Sequence, residues 1–251
     1  AALVGANGVG KTTLMRLIAK ELKSLDGEVS VTGDLQYLPQ DLGIGDTDVS
    51  VRTLLTAASP PHVAAAGAAL ADVERRLADG DEQAAFEIAD ALDRWGSLGG
   101  YQIEASWDEA CRRVLGAGLD EVGERSVTSL SGGERKRLVL DVVFELEPGV
   151  LLLDEPDNFL DIPAKEWLQR RLAETRSTVL LISHDRELLC NAPHRIVTLE
   201  ANGAWVHGEN YTTYDDARHA RQERLAADLS RWEEEERRLF RFYKLMKQRA
   251  A

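Results

Sequence analysis

Eight residues near the start of the chain leave few folds open: Gly5-Ala6-Asn7-Gly8-Val9-Gly10-Lys11-Thr12, a G-x-x-x-x-G-K-[ST] stretch. The apolar run Ala1-Ala2-Leu3-Val4 before it reads as a buried strand. An apolar period at Leu14, Leu17, Ile18 and Leu22 predicts a helix over 11–23 after it. Strand, glycine-rich turn and helix together form a setting in which backbone N–H groups converge on a polyphosphate. Gly8 and Gly10 let the chain turn without a Cβ in the way. The helix contributes the positive end of its dipole. Lys11 supplies a point charge for the β and γ phosphates, and Thr12 a hydroxyl for Mg2+. The alternative is a glycine-rich turn that matches by chance, an event of roughly one in a hundred for a chain of this length at ordinary composition.

A second acidic feature fits the first. Residues 150–153 are a short continuous apolar run, the form of a strand buried on both faces. It ends in Asp154-Glu155-Pro156. An acid at the carboxyl end of a parallel strand is where such sheets carry their ligands, so Asp154 is expected to hold Mg2+ through water. Glu155, one residue further, can reach the γ-phosphate side and polarise a water. Two acids merely closing a strand at the surface would explain the pair alone, but not the pair together with the phosphate loop.

Between the two features the pattern turns helical. Residues 29–31 and 36–38 read as short strands and 41–49 as a Gly/Asp-rich loop. Helices are predicted over 63–77, 82–95 and 107–115, with a break at Gly99-Gly100. No strand signal interrupts this stretch, so a helical subdomain, about 50–135, is inserted into an α/β core. The α/β pattern then resumes. Helices are expected over 135–146, 164–175 and 186–190, a strand over 178–182, and a hairpin of 195–199 with 204–206 across Asn202-Gly203. The first domain therefore runs 1–214.

From 215 to 251 there is no Gly or Pro. Leu225, Leu229, Trp232, Leu239, Tyr243 and Met246 follow alternating steps of four and three, with Glu236 in the one polar slot. One helix of that length spans roughly 55 Å. Its stripe calls either for a partner helix or for folding back on its own domain. Residues 218–251 also hold ten Lys/Arg against six Asp/Glu, although the whole chain carries −13. The acidity excludes a chain coated for nucleic acid, and leaves the terminal helix as the segment suited to a polyanion. Cys111 and Cys190 stand in no metal-ligand spacing and are expected to be reduced thiols of a cytoplasmic protein. No apolar run reaches the roughly 20 residues of a membrane helix, and the residues given are not expected to include a signal peptide. With no initiator Met before the first strand, the true N-terminus is expected upstream.

Leu130-Ser131-Gly132-Gly133-Glu134 opens another helix and makes a second small-residue anion loop. With it the chain resembles the ABC ATPase family. The phosphate loop looks like the family's Walker A and residues 150–155 like its Walker B. Residues 130–134 resemble its signature loop, and Gln40, after Tyr37-Leu38-Pro39, its Q-loop. Residues 158–161 fall at its D-loop, and Ser183-His184-Asp185 resembles its H-loop. All six follow the family's order. The resemblance implies a P-loop NTPase core sheet of ABC type hydrolysing ATP with Mg2+, each ATP sandwiched between one domain's phosphate loop and another domain's signature loop. Residue by residue it implies that Gly5, Asn7, Gly8, Val9, Gly10, Lys11, Thr12 and Thr13 bind phosphate. Thr12, Asp154 and Gln40 serve Mg2+, Glu155 activates water and His184 contacts the γ-phosphate. Ser131, Gly132 and Gly133 cap the γ-phosphate of the opposite site. The family's adenine-stacking aromatic lies upstream of Walker A, so no residue here is assigned to it.

Gly208-Glu209-Asn210-Tyr211-Thr212-Thr213-Tyr214, followed by Ala217-Arg218 and the long helix, is similar to the ABC-F branch, where it leads into an interdomain helical linker. That branch implies a second ABC domain, in the same chain or a second copy, and action on the ribosome, near rRNA and tRNA, in translation or antibiotic resistance. Asp157 and Phe159 depart from its usual Thr and His. A membrane transporter's ATPase subunit is the alternative, and a DNA-repair or chromosome-type ABC ATPase a third. The long helix appended after the last strands favours the first.

Overall fold

The computed structural model describes residues 1–40 and 48–249, with side chains through 243. Six strands form one sheet in the order β2-β3-β4-β1-β5-β6. They are β1 (Ala2–Gly5), β2 (Leu35–Leu38), β3 (Val150–Asp154), β4 (Thr178–Ile182), β5 (Ile196–Glu200) and β6 (Gly203–His207). The first five run parallel and β6 returns antiparallel to β5. Alternation along β3 divides the core between two faces. Leu152 packs with Leu3, Met15 and Ile182, whereas Leu151 and Leu153 join the larger cluster holding Leu138, Val142 and Leu168. This is the α/β core the sequence predicts, with helices on both faces.

Helix α1 (Lys11–Ile18) is shorter than the 11–23 expected. Lys20 takes a left-handed φ of 61°, which ends the helix although the apolar period runs on to Leu22. Residues 29–31, expected as a strand, pair with no strand among the described residues. The loop expected over 41–49 lies outside the described residues except for its last two.

Between β2 and β3 the described residues form first α2 (Val51–Ala58), α3 (Pro61–Ala78), α4 (Ala84–Ser97), α5 (Gly100–Leu115) and α6 (Leu119–Val122). Ser50 caps α2, its Oγ accepting the Thr53 N–H. The Gly99-Gly100 break is real but narrow. Gly99, at φ 82°, turns the chain, and α5 starts at once rather than at Trp107. Gly100 must lack a side chain there, because a Cβ would meet the Trp95 ring at 2.1 Å. Trp95 and Trp107 then pack at 6.0 Å between centroids. Helix α7 (Gly132–Glu145) is tied to α5 by Arg113 Nε on the buried Asp141 carboxylate at 2.8 Å. Helices α8 (Ile162–Glu174) and α9 (Arg186–Asn191) complete the core.

The hairpin between β5 and β6 forms as expected, but its turn is Ala201-Asn202, one residue early, because Glu200 pairs Gly203. Helix α10 (Tyr214–Arg249) leaves from it. Its root is pinned to the sheet edge. Tyr214 is 2% exposed, stacks on Trp205 at 5.7 Å and shares a 3.0 Å hydrogen bond with Thr198. Arg221 Nη1 reaches both oxygens of Glu200 at 3.0 and 3.2 Å. Beyond this root the stripe is bare: Leu225, Leu229, Trp232, Leu239 and Tyr243 are exposed. The helix therefore does not fold back on the described residues, and the apolar stripe is left for something else. No described helix is long and apolar enough to cross a membrane.

Strand β1 lies so close to β5 that Gly5 has no room for a side chain. A Cβ would stand 2.5 Å from the Leu199 carbonyl oxygen, which is backbone and cannot swing aside. Gly5→Ala is expected to cost about 2 kcal/mol and to lower Tm by about 4–8 °C. Thermal unfolding followed by circular dichroism tests this, and an unchanged Tm would refute the close-approach argument.

Candidate functional site

The carboxyl ends of β3, β4 and β1 lie side by side in the sheet, and each leads into one part of the site. After β1 the loop turns through Gly8 (φ 79°) and Gly10 (φ 105°), both left-handed, and Gly10 opens α1 with no side-chain cap. The first N–H groups of α1, at Lys11, Thr12 and Thr13, thus face the loop's interior without intrahelical partners. Lys11 is 9% exposed and curls back, its Nζ donating to the Gly5 and Ala6 carbonyls at 3.0 and 3.2 Å. Its charge is therefore held within the loop. Asn7 and Val9 lie on the loop between the glycines.

Asp154 closes β3 and is 1% exposed. Neither of its oxygens has a hydrogen-bond partner among the described residues. Burial raises its pKa, and the Thr12 hydroxyl, facing it without closing a well-shaped hydrogen bond, opposes only part of the rise. Tyr37 on β2 is pushed up to about 12, first by burial and then by the Asp154 charge. Two buried acceptor oxygens lacking donors, with a hydroxyl beside them, suit a hard divalent cation. No group of three or more His, Cys, Asp or Glu able to hold a metal is found among the described residues. A cation at Asp154 would therefore take most of its ligands from phosphate oxygens and water, as Mg2+ does.

Glu155 is bent out of the strand. Its φ is 48°, uncommon for a non-glycine residue, and its N–H donates to the Ile182 carbonyl at 2.9 Å. Its Oε2 accepts from Asn158 Nδ2 at 2.5 Å, and its Oε1 stands 3.7 Å from His184 Nε2. His184 lies just past the end of β4, beside Asp185, whose Oδ1 caps α9 and whose Oδ2 accepts from Lys165 Nζ at 2.6 Å. Lys165 draws the Asp185 pKa down against burial. A cleft of about 590 Å³ runs from Gly5, Lys11 and His184 to Glu200, Tyr211 and Arg218 at the root of α10.

Two of the sequence-predicted groups share no hydrogen bond or ion pair with these among the described residues. Gln40 lies two residues beyond β2, exposed, and makes no hydrogen bond with Thr12 or Asp154 among the described residues. The Ser131 loop forms no hydrogen bond or ion pair with the phosphate loop. Ser131 instead closes a capping box, its Oγ accepting the Glu134 N–H at 3.2 Å while its own N–H donates to Glu134 Oε2 at 2.8 Å. Gly132 and Gly133 press against Phe159, which is 77% exposed at φ 67°. A Cβ on Gly133 would meet the Phe159 carbonyl oxygen at 2.9 Å, so that position stays open only to glycine. One chain therefore presents two glycine-containing loops at helix N-termini that share no hydrogen bond or ion pair with each other among the described residues.

Sequence reasoning missed Asn158 as the partner of Glu155 and Tyr37 as a wall of the Asp154 site. The alternation of β2, which turns Tyr37 towards α1 with Leu35, held the signal for Tyr37.

A family model described as ABC transporter matches residues 1–158. An antibiotic resistance protein of Mycobacteroides abscessus is 42% identical over 255 residues, spanning 100% of this chain and 46% of the relative. The tylosin resistance ATP-binding protein TlrC of Streptomyces fradiae is 34% identical, over 94% of this chain and 43% of its own length. The putative ATP-binding protein YdiF of Bacillus subtilis is 32% identical, over 94% and 36%. The chain thus spans less than half the length of these relatives. Among solved structures, a putative metal-chelate type ABC transporter superposes with a TM-score of 0.54 at 19% identity, over 82% of this chain and 70% of that one. An RNase-L inhibitor gives 0.52 at 19% identity, over 88% and 36%. Both share the fold.

Proposed function

The chain belongs to the ABC transporter family, and from there we propose that it is the ATP-binding and hydrolysing domain of an ABC-F protein that acts on the ribosome in the cytoplasm. The observation that carries this reading is α10. A 36-residue helix leaves the last hairpin directly, with a basic surplus and an uncovered apolar stripe. An ATPase subunit that only docks on a membrane partner has little use for such a helix at that point. The relatives named for antibiotic resistance support the same branch. In this reading residues 1–214 form the ABC domain, with the helical insertion at about 50–135, and 215–251 begin a linker to a second ABC domain. The stripe then packs on the linker's returning helix, and its Lys and Arg face rRNA or tRNA phosphates.

Within the domain, the loop amides from Gly5 to Thr13 and the Lys11 ammonium bind the ATP phosphates. Thr12 and Asp154, together with Gln40, would hold Mg2+. Bound there, the ion neutralises charge on the β and γ phosphates. Glu155 orients the attacking water and takes its proton as the water oxygen bonds the γ-phosphorus and the bond to ADP breaks. His184 steadies the γ-phosphate. Ser131, Gly132 and Gly133 serve the γ-phosphate held by a partner domain, since they make no bond with the phosphate loop of their own. Hydrolysis accordingly requires two domains.

A sedimentation experiment tests the ribosome role. Glu155→Gln in the full-length protein, loaded with ATP, is expected to co-sediment with ribosomes, and to do so less at high salt. Its absence from ribosomes together with recovery in membranes would favour the transporter subunit instead.

A further inference from the structure

Glu155 is held by more than its place after β3. Residues Glu155-Pro156-Asp157-Asn158 form a turn closed by the Asn158 N–H, which donates to the Glu155 carbonyl at 3.4 Å. Pro156 presets the backbone at the second position of such a turn. The turn brings the Asn158 side chain back to its own first residue, where Nδ2 donates to Glu155 Oε2 at 2.5 Å. A carboxylate can only accept, so the amide presents its NH2 group there and not its oxygen. The backbone of Glu155 is fixed on another side, through its N–H on the Ile182 carbonyl. One carboxylate oxygen is therefore committed. The other, Oε1, accepts no hydrogen bond among the described residues and lies 3.7 Å from His184 Nε2. A general base works when one oxygen is free for the proton and the group is held within about 0.5 Å of the productive geometry. The Asn158 amide meets both needs. As a neutral donor it also brings no charge that would compete for the carboxylate.

We infer that Asn158 is a positioning residue: its amide anchors Oε2 of Glu155 and leaves Oε1, on the His184 side, to take the proton of the attacking water. The inference rests on the proposed role of Glu155 in hydrolysis. Asn158 acts through Glu155, so its removal lowers turnover and spares ATP binding.

The test is ATP hydrolysis by the full-length protein at pH 8. Asn158→Ala is expected to lower kcat about tenfold while KM for ATP stays within about twofold. Asn158→Asp keeps the size of the side chain but, ionised, has no donor left, and it is expected to be at least as slow. It carries the same comparison if the alanine variant does not fold. A purely structural role for Asn158 predicts the opposite, an aspartate variant near the parental rate, and that result overturns the inference. In a Glu155→Gln background, Asn158→Ala is expected to change the single-turnover rate by less than about twofold, because the two act through one group. A further tenfold loss there, or an alanine variant faster than the parent, also overturns it. A parental rate in Glu155→Gln removes the assigned role of Glu155 and the inference with it. A slowed Glu155→Gln with both Asn158 variants at the parental rate sinks the inference alone.

Discussion

Lys11→Ala raises the Kd for ATP about a hundredfold in the expected outcome. Hydrogen bonds to charged groups are worth about 1.5–3 kcal/mol each, and the Lys11 ammonium is placed to make more than one. It already sits inside the loop, donating to the Gly5 and Ala6 carbonyls, so little reorganisation separates this arrangement from one in which it meets phosphate oxygens. Alanine removes both the charge and the stem. Lys11→Met keeps the stem, packs in the same part-buried space and should lose affinity as severely, which separates charge from packing. Calorimetric titration at fixed salt reads both. A Kd within about threefold of the parent for either variant would remove Lys11 from the phosphate site.

Glu155→Gln should leave the Kd for ATP within about threefold and lower kcat about a thousandfold, inside the range assigned to a lost general base. The substitution keeps the shape. The Gln oxygen can still accept from Asn158, and the left-handed backbone turn at residue 155 does not depend on charge. Only the capacity to take a proton is lost. Phosphate release in a single turnover, read beside a binding titration of the same preparation, separates the two effects. Hydrolysis at the parental rate would mean that some other group activates water.

Most of the fold can be read along the chain because its signals are local. The glycines of the phosphate loop, the unbroken apolar run ending at Asp154, and the hairpin dipeptide Asn202-Gly203 each act within a few residues. What cannot be read depends on neighbours distant in sequence. The period to Leu22 extends α1 on paper, but the chain turns left-handed at Lys20. Residues 29–31 have strand composition and no pairing strand among the described residues. Helix α5 starts seven residues before its expected first turn because Gly100 fits beneath Trp95, a contact no periodicity announces. The site divides in the same way. Lys11, Thr12, Asp154, Glu155 and His184 stand together as their motifs imply, since each follows its own strand. Gln40 makes no hydrogen bond with them among the described residues, and Tyr37 and Asn158 take their places only through burial and local geometry.

The attachment of α10 has a mechanical consequence. The helix is clamped to β5 by Tyr214, Trp205 and the Glu200–Arg221 pair, and β5 runs in register beside β1, with Leu199 opposite Gly5 at the mouth of the phosphate loop. Its 36 residues make a rod roughly 54 Å long. A tilt of about 5° at the clamp, small enough to leave its stacks intact, sweeps the free end through about 5 Å at that length. Any displacement at the clamp is thus magnified in proportion to distance along the rod, and the far tip is where a distance probe would read it most easily.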